Sequence, residues 1–371
     1  MSEPIKVLQV FASLNVGGAE CRMMDVYRNL DKEKIQFDFI TMSNGCQFFE
    51  KEIKALGGKI YNIGNPRESG IISNIKALIT IMKMNDYSAV HAHTSYHCGI
   101  VSLAAKIAGI EIRISHARTT GTIQKGLLTK LNVSLGKLLM KLFTTDRLCI
   151  SKDAGVYLFG EKAVMTGQVV VLPNAINLKE YEDVDSSDQE LKEKLIGNVV
   201  IGHIGRFSIM KNQKFLVDIF EKLKGNKNQC KLVLVGEGPL KEEIKKEVYE
   251  KNLSDSVVLT GQRRDVPFLL SQIDVLVMPS IYEGLGGVVI EAQAAGVPCV
   301  VSEVLPDEID LGLGIIKRVS LNAPIQEWIN AILSSLNLRI NDRALIRKKF
   351  EDKKYTIEQE VNYLLTNIYR I

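Results

Sequence analysis

Five residues in one short stretch have the types and spacing of an anion site flanked by two acids: Glu283, Gly286, Gly287, Val288 and Glu291. Glycine allows the backbone to approach a ligand closely, and N–H groups at a helix start attract phosphate. Carboxylates repel phosphate at contact distance but accept hydrogen bonds from hydroxyl groups. The stretch therefore predicts a phosphate site at the three backbone N–H groups, with an acid on either side that holds sugar hydroxyls. The alternative is that both acids are solvated helix-end residues.

A strand, a loop and a helix are predicted to position these residues. The apolar, β-branched run 273–278 indicates a strand buried on both faces, which Pro279 ends. The helix is predicted from about 288 to 295, because Gly296 occupies a C-terminal cap position and Pro298 prevents its continuation. This order places the five residues at the carboxyl edge of a parallel sheet.

A second turn offers two cations to an anion. Arg206 and Lys211 lie five residues apart after the apolar run 199–204, around a predicted strand-to-helix turn. The planar guanidinium fork and the lysine point charge can reach the same phosphate group. The alternative is a pair of exposed cations with no ligand.

Strand-like apolar runs alternate with helical patterns along all 371 residues, which predicts an α/β fold with parallel sheets. This length suits two domains. We expect an N-terminal domain at 1–178, joined by a helix at 355–371, and a second domain at 179–354, with 180–188 as linker. The net charge is +7 up to Leu178 and −3 beyond it, which indicates an anionic partner for the first half.

The spacing of His91 and His93 places both side chains on one side of a strand, an arrangement that could bind a metal. No Asp, Glu or Cys nearby in the sequence completes such a site, so no metal is expected. The six cysteines are scattered without a C-x-x-C motif and indicate buried thiols in a reducing compartment. The first residues do not have the pattern of a signal peptide, so we expect a cytoplasmic protein.

A basic amphipathic segment suggests an anionic membrane surface as a partner. No acid occurs between Ile112 and Thr145, whereas leucines recur at helical spacing and Lys130, Lys137 and Lys141 share one helix face. Such a helix can lie on the inner face of a membrane. The alternative is a core-facing helix with a solvated lysine stripe.

Taken together, these motifs resemble those of the retaining glycosyltransferases of family four, which have the GT-B fold. The resemblance covers essentially the whole chain. It rests on the E-x7-E pair with its A-x-A-A-G-V-P helix end, on G-R-x4-K-N from Gly205, and on G-x-G-P-L from Gly236. It implies two Rossmann-like domains whose parallel sheets face each other across a cleft.

The resemblance also implies roles for individual residues. Glu283 would hold hydroxyls of the transferred sugar and Glu291 the nucleotide ribose. Arg206 and Lys211 would clamp the diphosphate. The remaining donor-binding residues would be Gly205, Glu237, Gly238, Arg263, Gly286, Gly287 and Val288.

In the first domain, the G-G-A-E turn at Gly17 and Gly18 resembles the family's loop that faces the cleft. His116 follows a predicted strand, where parallel sheets place ligand-binding residues, and in the family such a histidine approaches the transferred sugar. Arg118 in the same loop and Asn174 in the P-N-A-I-N segment would complete the acceptor side.

The implied function is transfer of a hexose, with UDP as the expected nucleotide, to a glycan or a lipid-linked acceptor in bacterial cell-surface polysaccharide synthesis. The resemblance implies neither a metal nor another cofactor, and no nucleic acid partner. Two alternatives remain. A UDP-sugar 2-epimerase of the same fold would need further carboxylates in the first domain, where the two loops offer only Glu20. A non-enzymatic two-domain sugar-binding protein would normally be exported.

Overall fold

The computed structural model describes residues 3–15, 17–45, 47–119, 121, 126–182, 184, 188–226 and 229–371, without the side chains of residues 67, 127, 128 and 226. The chain divides into two compact units. Unit 1 comprises Met1–Ala175 and Ile357–Ile371, and unit 2 comprises Ile176–Thr356. Residues 183 and 185–187 of the expected linker, together with Lys125 and Cys46, lie outside the described residues.

Parallel strands form one sheet in each unit, and apolar, β-branched runs account for most of them. The strands are β1 Ile5–Phe11, β2 Ile35–Thr41, β3 Ile60–Asn62, β4 Tyr87–Ala92, β5 Ile112–Ala117, β6 Asp146–Cys149 and β7 Val170–Val171 in unit 1, and β8 Val199–Ile204, β9 Cys230–Val235, β10 Val257–Gly261, β11 Val275–Met278, β12 Cys299–Ser302 and β13 Ile316–Val319 in unit 2.

Helices connect successive strands. They are α1 Gly18–Arg28, α2 Glu50–Ala55, α3 Pro66–Ser69, α4 Ile71–Met84, α5 Cys98–Ala108, α6 Leu127–Phe143, α7 Lys152–Phe159, α8 Glu161–Met165, α9 Lys179–Glu182, α10 Gln189–Leu195, α11 Gln213–Asn226, α12 Lys241–Glu250, α13 Val266–Gln272, α14 Gly287–Ala294, α15 Ile325–Ser335, α16 Arg343–Asp352 and α17 Ile357–Tyr363. A π-helical turn, Leu364–Tyr369, continues α17. No helix among the described residues combines the length and apolarity needed to cross a bilayer.

The order of strands determines where each unit can bind a ligand. Within the described residues the sheet of unit 1 runs β3-β2-β1-β4-β5-β6-β7, and that of unit 2 runs β10-β9-β8-β11-β12-β13. The order therefore reverses direction between β1 and β4 and again between β8 and β11. Ligands of parallel sheets bind outside the carboxyl ends of the strands at such switch points. The loops after β1, β4, β8 and β11 are thus the candidate ligand-binding loops.

Each unit has its own apolar core. In unit 1, aromatic residues of α1 and β2 pack together, with the rings of Tyr27 and Phe37 stacked 5.3 Å apart. Ile357, Leu364 and Ile368 from the segment 357–371 are buried in this same core. The segment therefore completes the core of unit 1, although the whole of unit 2 separates it from residue 175 in the sequence.

Candidate active site

The switch point of unit 2 brings together two predicted turns, one with the cations and one with the first acid. The loop that carries Arg206 and Lys211 follows β8, and the loop that carries Glu283 follows β11, which pairs with β8 in parallel. The loops are joined by the backbone, since the N–H of Ile281 donates to the carbonyl of Met210 at 2.8 Å. Residues that the sequence separates by more than seventy positions therefore share one sheet edge.

The cation and the acid of this site are paired with each other. Nζ of Lys211 lies 2.5 Å from Oε1 of Glu283, and both side chains are largely buried. The hydroxyl of Ser280 donates to the same carboxylate oxygen at 2.8 Å. The backbone of Ser280 is fixed in turn, because Ser302 donates to its carbonyl at 2.6 Å. Glu283 is thus held in one orientation by a charge and a hydroxyl.

The guanidinium of Arg206 is exposed and has no hydrogen-bond or ion-pair partner among the described residues, whereas its backbone is fixed. The buried amide of Gln213 donates to the Arg206 carbonyl at 2.9 Å and lies 3.2 Å from Nε2 of His203. Burial lowers the pKa of His203 to about 4, so this ring is neutral and its Nδ1–H donates to the Val277 carbonyl. The side chain of Arg206 is therefore exposed to a ligand, whereas its backbone is held in place by Gln213.

The start of α14 has the backbone conformation of an anion site. Gly286 adopts a φ of +82°, which favours glycine, and a Cβ there would lie 3.1 Å from Leu305. A Cβ at Gly287 would meet nothing within 4 Å, so the backbone is open on that side. Val288 and Glu291 are half-buried on the following helix. The N–H groups of the first turn of α14 can therefore face a ligand.

The loops after β8 and β9 touch through their glycines. A Cβ at Gly236 or Gly238 would collide with the carbonyl oxygens of Gly205 and Phe207 respectively. The N–H of Phe207 donates to the Glu237 carbonyl at 2.9 Å. The G-x-G-P-L motif thus keeps the two loops in contact, which is a structural reason for its glycines beside any role in binding.

Two residues that were predicted to bind the nucleotide sugar form ion pairs within unit 2. Arg263 bonds Asp188 at 2.7 Å and Asp265 at 2.5 Å, and these hydrogen bonds raise its pKa. Glu237 is exposed and pairs with Lys241 at 2.6 Å. The guanidinium of Arg263 thus anchors the start of α10 to the loop before α13. Its contact with a nucleotide, like that of Glu237, stays a prediction.

In unit 1, the predicted residues Arg118 and Asn174 contact each other directly. Nη1 of Arg118 donates to Oδ1 of Asn174 at 2.6 Å. Burial lowers the pKa of Arg118 to about 10, while the nearby Glu360 and Glu20 oppose the shift, so the guanidinium stays charged at neutral pH. Glu20 lies close to Gly17, because a Cβ on this glycine would meet its carboxylate.

Gly17 and Gly18 lie at the start of α1, with Gly17 as the cap residue in an extended conformation. The space around Gly18 is open, since a Cβ there would meet nothing within 4 Å. These two glycines therefore form the turn after β1, on the edge of unit 1 where its strand order reverses. A contact of this turn with an acceptor stays a prediction.

A third histidine, from the neighbouring strand, joins the pair considered as metal ligands. The ring nitrogens of His91, His93 and His116 lie within 4.8 Å of one another, and all three rings are buried. His116 lies 23 positions beyond His93 in the sequence, and the pairing of β4 with β5 brings it beside the other two rings. In the described structure, however, most ring nitrogens of this cluster already have hydrogen-bond partners, and the absence of a metal stays a prediction. Nδ1 of His93 faces Nε of Arg118 at 3.3 Å, and the nitrogens of His91 bond Tyr369 and His116.

Sequence reasoning missed three further residues of this edge. Gln9 and Tyr369 hydrogen-bond each other at 3.2 Å, and the buried Glu360 accepts the Ala175 N–H at 2.9 Å. Burial raises the pKa of Glu360 to about 7, against the opposing charge of Arg118. For Glu360 and Tyr369 the one sequence signal was the apolar periodicity of the segment 357–371, which predicted a packed helix but not its polar contacts.

Two pockets border unit 1. The first, of about 540 Å³, lies beyond the carboxyl ends of β1, β2 and β4 and is lined by Met42, Thr94, His97, Asn132 and Leu135, among others. Its mixed polar and apolar lining suits a ligand that has both characters. The second, of about 530 Å³, lies beside α6, and its lining contains four basic residues: Lys137, Lys141, Arg147 and Lys162.

Chemically, unit 2 offers a free guanidinium, an ammonium, two acids and a helix start on one sheet edge. This combination suits a diphosphate attached to hydroxyl-bearing groups. Unit 1 offers a buried polar cluster and a pocket at the switch point of its own sheet. Two Rossmann-like units with these features define the GT-B class of glycosyltransferase.

Comparison with known proteins agrees. The family model described as Glycosyltransferase Family 4 matches residues 16–180, and the model described as Glycosyl transferases group 1 matches residues 186–309. The chain is 35% identical to the putative glycosyltransferase EpsF of Bacillus subtilis, over 99% of this chain and 96% of that protein. The chain belongs to glycosyltransferase family four, and it is a glycosyltransferase. The predicted family and the GT-B fold are confirmed.

Two more distant proteins are similar to this chain. The UDP-Gal:alpha-D-GlcNAc-diphosphoundecaprenol alpha-1,3-galactosyltransferase of Escherichia coli is 27% identical over 64% of each chain. The crystal structure of Anabaena HepE in complex with UDP-glucose superimposes with a TM-score of 0.76, at 17% identity, over 97% of this chain and 98% of that one. The latter likeness concerns the fold.

Proposed function

We propose that this glycosyltransferase transfers a hexose from a UDP-sugar to a lipid-linked acceptor, with retention of anomeric configuration and without a metal ion. The observation that carries the proposal is the convergence of Arg206, Lys211, Glu283 and the start of α14 at the switch point of unit 2. Two cations and a helix N-terminus can neutralise the charge that develops on a leaving diphosphate, the task that a metal ion performs in other enzymes.

The reaction would proceed on one face of the sugar. The bond between the anomeric carbon and the diphosphate oxygen breaks as the acceptor oxygen bonds the same carbon. The hydroxyl proton of the acceptor passes to the leaving diphosphate, so charge and atoms balance without a protein nucleophile. Arg206 and Lys211 would stabilise the anionic leaving group, and Glu283 would orient the sugar through its hydroxyls.

Two relatives support the choice of donor and acceptor. The Escherichia coli protein, by its name, uses UDP-Gal and a diphosphoundecaprenol-linked GlcNAc, and HepE was crystallised with UDP-glucose. The pocket beyond β1, β2 and β4 would hold the acceptor's sugar in this chain. Two residues of its lining, Ile71 and Leu135, are exposed apolar side chains suited to a lipid chain.

The exposed surface of α6 supports a membrane-bound acceptor. Leu131, Leu135, Leu138 and Leu142 are each about half exposed or more, and together they form a leucine stripe along one helix face. The basic pocket beside α6 shares Leu138 with this stripe. Apolar side chains next to lysines and an arginine are the features of a helix that lies on an anionic membrane surface. The protein would then work at the inner face of the membrane in cell-surface polysaccharide synthesis.

The test is a transfer assay with purified protein, radiolabelled UDP-hexoses and a short-chain prenyl-diphosphate sugar, followed by NMR of the product's anomeric proton. We expect acceptor-dependent transfer from one UDP-hexose with the donor's anomeric configuration. GDP- and ADP-hexoses serve as controls. An inverted product, strict preference for another nucleotide, or epimerisation without transfer would contradict the proposal.

A further inference from the structure

Six buried or half-buried polar side chains of unit 1 form one continuous hydrogen-bond chain. It begins at Arg118 and ends at His116, and it draws its members from β1, β4, β5 and the segment 357–371. The contacts are Arg118 Nε to His93 Nδ1 (3.3 Å), His93 Nε2 to Gln9 Oε1 (3.0 Å), Gln9 Nε2 to Tyr369 Oη (3.2 Å), Tyr369 Oη to His91 Nδ1 (2.9 Å) and His91 Nε2 to His116 Nδ1 (3.1 Å).

The chain has a single direction because its first member can only donate. A guanidinium has no acceptor atom, so Nδ1 of His93 must accept. Burial lowers the pKa of all three histidines well below the ordinary value, so each ring is neutral and carries one N–H. The N–H of His93 is therefore on Nε2, and it donates to the carbonyl oxygen of Gln9. This contact also fixes which way the Gln9 amide points.

The second half of the chain follows by the same reasoning. The amide N–H of Gln9 donates to the hydroxyl of Tyr369, which then donates its own proton to Nδ1 of His91. His91 consequently carries its N–H on Nε2 and donates to Nδ1 of His116. The planes of the His91 and His116 rings are parallel to within 4°, and their centroids lie 5.3 Å apart. His116 must then carry its one N–H on Nε2.

This last N–H is the open end of the chain. Nε2 of His116 is buried and has no hydrogen-bond partner among the described residues, and the same holds for Nη2 of Arg118. A buried donor without a partner is costly, so an N–H kept in this state indicates a ligand atom that accepts from it. Both ends of the chain thus terminate in a donor.

We propose that the hydrogen-bond chain fixes His116 in the Nε2–H tautomer, so that it presents one hydrogen-bond donor to an oxygen of a sugar bound at the carboxyl edge of the unit 1 sheet, and that Tyr369 is a positioning residue acting through His91. The proposal rests on the proposed transfer of a sugar. It also predicts a specificity, since a hydroxyl or a carboxylate oxygen can accept this hydrogen bond, whereas the ammonium group of an amino sugar can only donate.

Tyr369 decides between two arrangements of the histidine pair. If the shared proton sat on Nδ1 of His116, Nδ1 of His91 would carry an N–H and face the Tyr369 hydroxyl. That hydroxyl would lose the one acceptor that it has among the described residues. Removal of the Tyr369 hydroxyl therefore removes the preference for the Nε2–H tautomer, and His116 would exchange between its two tautomers.

The test combines NMR of histidine side chains with kinetics. In protein labelled with ¹⁵N-histidine, we expect the ring-nitrogen shifts of His116, assigned with His116→Gln, to show the Nε2–H tautomer. Tyr369→Phe keeps the ring but should give a mixture of tautomers at His116. The matched control is Tyr363→Phe, the same change at a half-buried position of α17, which should leave the His116 signals unchanged.

In the transfer assay, Tyr369→Phe should lower kcat/KM for the acceptor by about fivefold to tenfold, the scale of one oriented hydrogen bond, and spare the affinity for UDP. A merely structural role would change UDP affinity and kcat/KM together. An Nδ1–H tautomer in the wild type, or one unchanged by Tyr369→Phe, would overturn the proposal.

The wild-type spectrum needs neither a folded variant nor turnover. Absence of sugar transfer from every UDP-hexose would therefore count against the proposed function, whereas the tautomer of His116 decides the hydrogen-bond chain separately.

Discussion

Nζ of Lys211 lies 2.5 Å from Oε1 of Glu283, so the cation and the acid of the proposed donor site form an ion pair with each other. Under the proposed function, an arriving diphosphate would compete with Glu283 for Lys211. The carboxylate would then be available to the sugar's hydroxyls. A lysine between the two negative charges would allow the carboxylate to lie next to a phosphate site without repelling the ligand.

Loss of either cation should impair transfer. We expect Arg206→Ala and Lys211→Ala each to lower kcat by roughly 10², the scale of losing one group that stabilises developing charge. Arg206→Ala should leave the melting temperature unchanged because its side chain is exposed, whereas Lys211→Ala should lower it, since Glu283 would be buried without its partner. Lys222→Ala, an exposed lysine on α11, is the control. Near-normal turnover in both cation variants would refute the assignment.

The two acids should be separable by calorimetry. Glu291→Gln should weaken binding of UDP itself, because a ribose contact is made with or without the sugar. Glu283→Gln should spare UDP but weaken the UDP-sugar, by about tenfold for one charged hydrogen bond. Isothermal titration of each variant with both ligands measures this. The opposite pattern would show that the two roles are exchanged.

Activity should survive chelation of metal ions. Arg206, Lys211 and the first turn of α14 supply the positive charge that a diphosphate needs, so transfer in excess EDTA should remain within about twofold of the untreated rate. The measurement is initial rate after dialysis against EDTA, with and without added Mg²⁺ or Mn²⁺. Complete loss that either ion restores would contradict the metal-free mechanism.

Glu360 should make stability depend on pH. Its folded-state pKa is raised to about 7 from 4.5, so the folded chain binds this proton more tightly than the unfolded chain does. Its contribution is full below pH 4.5 and is lost as pH rises through 7, a change of about 3 kcal/mol. Glu360→Gln should therefore gain stability relative to wild type by about this amount between pH 5 and pH 8.

The comparison with the variant is needed because the buried histidines titrate with the opposite sign. Their lowered pKa values favour the folded state as pH rises towards 6.5. Urea unfolding of wild type and Glu360→Gln at each pH isolates the contribution of the Glu360 carboxyl group to the free energy of unfolding. Glu358→Gln, which replaces an exposed acid on the same helix, is the matched control. A constant difference between wild type and Glu360→Gln would show that Glu360 is ionised in the fold.

The leucine stripe of α6 should bind anionic vesicles. We expect co-sedimentation with phosphatidylglycerol vesicles at low salt, weakening above physiological salt, where the screening length falls below about 8 Å. A combined Leu131→Ser, Leu138→Ser and Leu142→Ser variant should bind about 100-fold more weakly, since each half-exposed leucine contributes roughly 1 kcal/mol. Ile196→Ser, an exposed apolar residue of unit 2, is the control. Equal binding by all three proteins would exclude this surface.

The lysine stripe that suggested a membrane is only partly available. Lys137 donates to the carbonyl of Tyr157 and lies over its ring, so it is drawn towards the protein. Lys130 and Lys141 remain exposed. Four of the leucines, which a sequence pattern assigns by default to a core, are exposed: Leu131, Leu135, Leu138 and Leu142. Periodicity showed that α6 is amphipathic but could not show which face is covered.

The sequence predicted most of the fold, because alternating strand and helix patterns are local. The apolar run 199–204, expected before the strand-to-helix turn of Arg206, is strand β8, Val199–Ile204. The two turns of the proposed donor site could also be predicted, since each is a contiguous strand–turn–helix segment with its own glycines and charges. What could not be predicted are pairings set by strand order. Tyr369 and His91 are 278 positions apart, and Lys211 and Glu283 are 72 apart. No local pattern encodes such contacts.

The placement of the segment 357–371 has a consequence for biosynthesis. On the ribosome, residues up to Ala175 emerge long before Ile357, Glu360 and Tyr369. They nevertheless need these three residues to complete their apolar core and their buried hydrogen bonds. Unit 2, by contrast, has both ends together, since the N–H of Ile176 donates to the Tyr355 carbonyl at 2.8 Å. It can therefore complete its fold as soon as residue 356 has left the exit tunnel. The unit that is translated first is the one that matures last, and a nascent chain arrested before residue 357 would expose its unfinished half to chaperones and proteases.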